Sequence, residues 1–126
     1  MNKFKHALFN NKTEDKRTLQ FLKLQNQAPF IGLTDLTEKE KPVYASWWKD
    51  LDPFDLDLIS NEKILNFLKR CCLEDIKLEQ ILLLFETARD GLNKAQFFAM
   101  LRLIAHAQNG RNISRALIYL GGILFY

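Results

Sequence analysis

The feature that most constrains this chain is a stripe of apolar residues at positions i, i+3, i+4 and i+7 that occurs four times, each time cut short by a polar break. That spacing paints one face of a helix, whereas a half-buried strand would alternate at every second residue. Tyr44, Trp47, Trp48 and Leu51 form the first stripe, and Ile64, Phe67, Leu68 and Cys71 the second. Leu78, Ile81, Leu82 and Phe85 form the third, and Phe97, Met100, Leu101 and Ile104 the fourth. The expected fold class is therefore all-α, with four main helices. Leu83 and Leu84 widen the third stripe, so the third helix is expected to be the most buried.

Helix ends can be read from local chemistry. Thr37 and Glu40 have capping-box spacing, and Pro42 falls where a missing N–H costs little. Asp52-Pro53 ends the first helix, because proline disfavours helical geometry in the residue before it. Ser60 and Asn93 are suited to cap the second and fourth helices, the basic pair Lys69-Arg70 suits the C-terminus of the second, and Asn109-Gly110 stops the fourth. The order is helix, loop, helix, twice over, with one apolar residue late in each loop, Ile59 and Leu92. Leu58-Ile59 reads as a short extended pair, and Ile59 and Leu92 are expected to join the loops as a short β-bridge.

With 126 residues, the chain fits one modest core. Its 48% hydrophobic and 26% charged residues suit a folded globular chain, and ten Phe with two Trp against five Gly and three Pro favour long helices over many strands. The net charge of +3 is too small to imply a nucleic-acid surface. Its distribution is uneven. Residues 1–26 carry six basic groups (Lys3, Lys5, Lys12, Lys16, Arg17 and Lys23) against Glu14 and Asp15, while residues 41–91 carry seven basic and ten acidic groups.

Three segments follow: a basic, partly disordered N-terminal arm over 1–36 with a short helix near Leu19–Leu24, a helical domain over 37–112, and an apolar tail over 113–126 that packs on the domain or continues into a longer protein. Two readings of the arm stand. It is a solvated tail, or it lies on an anionic membrane through Lys3, Lys5, Lys12, Lys16 and Arg17, with Met1, Phe4, Leu8 and Phe9 on one side of a short helix. No signal peptide and no apolar run of about 18 residues is present, which points to a cytoplasmic or nuclear location rather than secretion. Adjacent cysteines on a helix point about 100° apart, so Cys71 and Cys72 are read as reduced thiols.

Two helix–loop–helix units joined through their loops are the skeleton of paired EF-hands. Over about residues 42–112 the chain resembles an EH domain, in the stretches Tyr44…Leu51-Asp52-Pro53, Ile59-Ser60 through Phe67-Leu68 to Leu73, Leu78…Ile81, and Leu92…Phe97-Phe98-Ala99-Met100…Leu103-Ile104. The run Gln96-Phe97-Phe98-Ala99 through Ala105-His106-Ala107-Gln108-Asn109-Gly110 is also similar to the degenerate EH-like domain near the N-terminus of some fungal sorting nexins. The resemblance implies a non-catalytic module that binds Asn-Pro-Phe peptides in endocytosis and vesicle traffic. It also implies a peptide groove between the second and third helices, which falls on Ile64, Leu65, Leu68, Leu78, Glu79 and Leu82. Two of these depart from the family pattern: Leu82 stands where a Trp is usual, and Glu79 where a small residue is common.

A calcium loop of twelve residues needs oxygen ligands at positions 1, 3 and 5, Gly at 6 and a bidentate Glu at 12. Counting from Asp52 puts Phe54 at 3, Leu56 at 5, Asp57 at 6 and Lys63 at 12. Counting from Asp50 puts Phe54 at 5 and Asn61 at 12. In the second loop, with Leu92 at position 8, Phe85, Thr87 and Arg89 fall at 1, 3 and 5 and Gln96 at 12. Neither loop is suited to calcium, and the pair is a degenerate one.

His6 and His106 have no metal-ligand spacing to other donors, and no phosphate loop or nucleophile motif is present. No cofactor, metal or catalytic residue is expected. The expected function is a calcium-independent adaptor module that binds a protein or peptide in endocytic or endosomal traffic, on the cytoplasmic side and peripheral to an endosomal or plasma membrane. The alternative is a structural or oligomerisation domain of a larger trafficking protein without Asn-Pro-Phe recognition.

Overall fold

A computed structural model describes residues 27–120. The expected helix near Leu19–Leu24 and the arm cations Lys3, Lys5, Lys12, Lys16 and Arg17 lie outside the described residues. Four α-helices follow in order: α1 (Glu40–Leu51), α2 (Asn61–Arg70), α3 (Asp75–Leu84) and α4 (Lys94–Gln108). Short 3-10 turns flank them, η1 at Leu33–Asp35 and η2 at Arg115–Tyr119.

The helices begin and end on local chemistry. Ahead of α1, the Thr37 hydroxyl accepts from the Glu40 amide at 3.2 Å and the Glu40 carboxylate accepts from the Thr37 amide at 2.8 Å. Asn93 and Gln96 exchange the same reciprocal pair ahead of α4, each at 2.9 Å. Ser60 accepts from the Lys63 amide, and Asp52 closes α1. Gly110, with φ of +80°, turns the chain out of α4.

The core sits around α4. Eleven consecutive residues of that helix, Phe97 through Ala107, are buried, with α1, α3 and η2 packed around it. Aromatic rings link the layers: Tyr44 lies 6.0 Å from Phe98, Trp48 5.9 Å from Phe97, and Phe67 5.7 Å from Phe97. The third helix is not the most buried one, because Ile81 is its only buried residue while Ile76 and Leu83 are 60% and 65% exposed. A helix rich in leucine can bury only the face that meets a neighbour.

Two charged side chains in α1 and α4 are buried together. Arg102 reaches both carboxylate oxygens of Glu40, at 3.1 and 2.9 Å, and donates to the carbonyls of Ile118 and Asp35. One guanidinium thus clasps η1, α1, α4 and η2. Burial alone would push the Glu40 carboxyl up, but the bonds from Arg102 and Thr37 and the Arg102 charge outweigh it and hold it below its ordinary value. Ala28, Ile31 and Leu36 are also buried, and the Ile31 amide donates to the Ala95 carbonyl at 3.1 Å.

The expectation of a short β-element between the loops needs correction. No β-strand forms among the described residues, and Leu58-Ile59 is not an extended strand pair. The loops meet at a single isolated residue pair, in which the Ile59 amide donates to Leu92 O at 2.9 Å and the Leu92 amide to Ile59 O at 3.0 Å. No ladder grows from it, because Ser60 and Asn93, the next residues on each side, are already helix caps. Gly91 allows the close approach: with φ of +123°, an added Cβ would lie 2.1 Å from Ile59 O.

Candidate functional site

The groove expected between the second and third helices starts from the turn that joins them. Cys72 holds φ of +56° just past the end of α2 and reverses the chain. Gln108 of α4 donates to Cys71 O at 2.8 Å, and Lys77 of α3 donates to Arg111 O at 2.9 Å, so α2 and α3 are both anchored to the end of α4. The Cys71 thiol is buried and pushed up to about 11 by that burial, against the opposing charge of Arg70, which makes it a packing group rather than a reactive one.

The six expected groove residues divide by depth. Ile64 and Leu68 belong to the buried core cluster, and Leu78 and Leu82 are half-buried against it. Leu65 and Glu79 face solvent, Leu65 being 44% exposed. The exposed apolar residues Ile76 and Leu83 of α3 were not among the six. They sit seven apart, two helical turns, and that interval was the signal for a second apolar face on α3.

The geometry of the first loop bears on calcium. Asp52 is buried and its two carboxylate oxygens accept from the amides of Leu56 and Asp57, each at 2.9 Å. Asp57, at position 6, holds φ of +59° where a calcium loop has glycine. The loop shape persists, but Phe54 and Leu56 put carbon at positions 3 and 5, and the Lys63 ammonium at position 12 donates to Leu51 O at 3.1 Å. These residues do not fit a calcium ion. No group of three His, Cys, Asp or Glu side chains suited to a metal occurs among the described residues.

A model of the EH domain matches residues 36–122, which includes all four helices and the pair of loops joined at Ile59 and Leu92. The chain belongs to the EH-domain family. EH domains are non-catalytic protein-interaction modules, so this domain is not an enzyme. It is 36% identical over 85 residues to human epidermal growth factor receptor substrate 15, covering 67% of this chain and 9% of that protein. It is 33% identical over 88 residues to mouse epidermal growth factor receptor substrate 15-like 1, covering 69% and 10% respectively. The chain thus spans about a tenth of the length of these curated relatives. No solved structure matches it.

Proposed function

We propose that this EH domain is a calcium-independent adaptor module of endocytic or endosomal traffic, which takes a short peptide or protein segment in the groove between α2 and α3. The observation that supports the reading is the graded burial of the six expected groove residues. Ile64 and Leu68 are buried in the core, Leu78 and Leu82 are half-buried against it, and Leu65 and Glu79 are exposed. An amphipathic ligand needs such a graded surface, apolar where it inserts and polar where it leaves. The place of action is the cytoplasmic face of an endosomal or plasma membrane, and the parent protein is of the sorting-nexin kind to which the run through Gln96–Gly110 is similar.

Leu82 sets the specificity. With leucine in place of the usual tryptophan, the domain lacks the broad ring that holds an Asn-Pro-Phe ligand, and it binds such peptides weakly. Restoring a central aromatic anchor is worth about 2 kcal/mol, or roughly thirtyfold in affinity. Titration of an Asn-Pro-Phe peptide, followed by backbone amide shifts, tests this. The expected result is weak binding with shifts at Leu65, Glu79 and Leu82, tightened by Leu82→Trp and abolished by Leu65→Arg. Silence of those amides in both the native domain and Leu82→Trp, together with a dimeric mass in solution, would favour the assembly role instead.

A further inference from the structure

We propose that the first loop, Pro53 through Leu58, is a docking surface for the chain's own basic arm, residues 1–26. The loop is unusual in what it exposes. Phe54, Leu56 and Leu58 are 81%, 73% and 45% exposed, and they alternate with the exposed carboxylates of Asp55 and Asp57. Single exposed apolar residues are ordinary, but three in one six-residue loop make a patch. Between Asp50 and Glu62 there are five carboxylates and no basic side chain. Of these carboxylates, only that of Asp52 is taken up internally among the described residues, by the Leu56 and Asp57 amides. Those two bonds, with Asp55 and Asp57 both at positive φ, give the loop a defined shape that presents its side chains outward.

The occupant of such a surface must be both cationic and apolar. An anionic bilayer is disfavoured by four solvent-facing carboxylates, and the same loop of a second copy is disfavoured by like charge. The arm has the required chemistry. Six basic groups against two acidic ones are interleaved there with Phe4, Leu8, Phe9, Leu19, Phe21 and Leu22.

Reach and concentration favour docking within one chain. A stretch of 26 residues can span up to about 85 Å, far more than the width of a small domain. Its root is tied near the base of the loop, for the Ile31 amide bonds Ala95 O, and Ala95 follows three residues after Leu92, the partner of Ile59. A tethered segment meets its site at an effective concentration of about a millimolar, above that of most free competitors. The cations that would otherwise meet a membrane are on this reading held against the domain.

The test uses the full chain with Cys72→Ser and a nitroxide on Asn10→Cys, the buried Cys71 thiol staying unlabelled. The expected result is loss of amide signal from Phe54, Leu56 and Leu58, independent of protein concentration. The signal returns in high salt, and it returns in D55N/D57N, since asparagine keeps the left-handed backbone while removing the charge. The double variant Phe54→Ser/Leu56→Ser, which leaves both Asp52 hydrogen bonds in place, should restore the signal as well. Signal loss at Leu65, Glu79 and Leu83 instead overturns the proposal, as does loss that survives both variants. Loss at the loop that appears only as concentration rises also overturns it, because the arm then acts between chains. A label that binds phosphatidylserine vesicles while the loop signals stay intact assigns the arm to the membrane.

Discussion

The two helix–loop–helix units share one plan and use it differently. In the second unit, Gly91 and Leu92 are buried in the loop and α4 buries eleven residues in a row. In the first unit, the loop from Pro53 to Leu58 is exposed throughout and α2 buries only Ile64 and Leu68. Departure from the calcium-loop pattern therefore takes a different form in each half. Both loops bury their first residue and their late apolar residue, Asp52 and Ile59 in one and Phe85 and Leu92 in the other, but the second exposes Glu86, Thr87, Arg89 and Asp90 between them, whereas the first keeps the shape of an ion loop through Asp52 and turns its ligand positions outward as Phe54 and Leu56.

The strongest way to break that contrast is at Arg102. Arg102→Ala leaves the fully buried Glu40 carboxylate without its counter-charge, a change that costs about 3–5 kcal/mol. Urea unfolding should show the loss, and Glu40→Leu/Arg102→Met should recover most of it because no charge is then left buried. An Arg102→Ala domain as stable as the native one would mean that the buried pair joining α1 to α4 does not carry the stability.

Glycine and aspartate in the two loops offer the next comparison. Gly91→Ala drives a Cβ into the Ile59 carbonyl at 2.1 Å and forces alanine to a φ of +123°, for a loss of roughly 1–3 kcal/mol or more. Asp57→Gly in the first loop relaxes a φ of +59° while loosening the unfolded chain, and the two effects should cancel to within about 1 kcal/mol. Thermal melts of the pair give the answer directly. Equal effects would erase the distinction between the tight approach at Gly91 and the open turn at Asp57.

Acid should act through the second unit as well. His106 is buried on α4, and since arginine can only donate, the 2.6 Å contact from Arg111 to Nδ1 places the imidazole proton on Nε2. Burial lowers the His106 pKa, with the charges of Arg111 and Arg102 adding to this and the Leu120 and Leu117 carbonyls opposing it. The folded state therefore takes up the proton less readily than the unfolded one. Stability is fully present above the ordinary value of 6.5 and is lost as pH falls from there toward the lowered folded value. Glu40, also lowered, adds a second loss in the same direction at pH below its ordinary 4.5. Urea midpoints measured across pH 6.5 should fall in the native domain and stay nearly level in His106→Gln; an unchanged slope in that variant would assign the effect to another group.

The smallest effects belong to the first loop. Phe54→Ser and Leu56→Ser should each change stability by no more than about 0.5 kcal/mol, because neither side chain is buried. Millimolar calcium against a chelator should leave the melting temperature unchanged, since a ligand stabilises only a fold that binds it. A clear upward shift would show that the loop still holds the ion.

Much of the frame was legible in the chain. The four stripes placed the helices because a period of 3.6 repeats within a few residues, and Ser60, Asn93 and Gly110 act at the ends where their local chemistry suits them. That the first loop lacks calcium ligands at positions 3, 5 and 12 could be read from Phe54, Leu56 and Lys63. Depth was not legible. Periodicity says which residues share a face, not how fully a neighbour covers it, so Ile64 and Leu68 went to the core while Leu65 stayed in solvent. The same limit put the expected maximum of burial on α3 instead of α4.

What the sequence by itself determined is the helical class, the helix ends and the lack of calcium ligands at the loop positions that need them, all of which rest on residues within a short stretch of one another. Only the tertiary structure decided that Glu40, which has the spacing of an ordinary helix cap, is also the counter-ion of Arg102 some 62 residues away, and that the backbones of the two loops bond each other at Ile59 and Leu92 without extending into a ladder. Such contacts depend on closing long stretches of chain against their entropy, and the groups that repay that cost are known only once α4 has been surrounded.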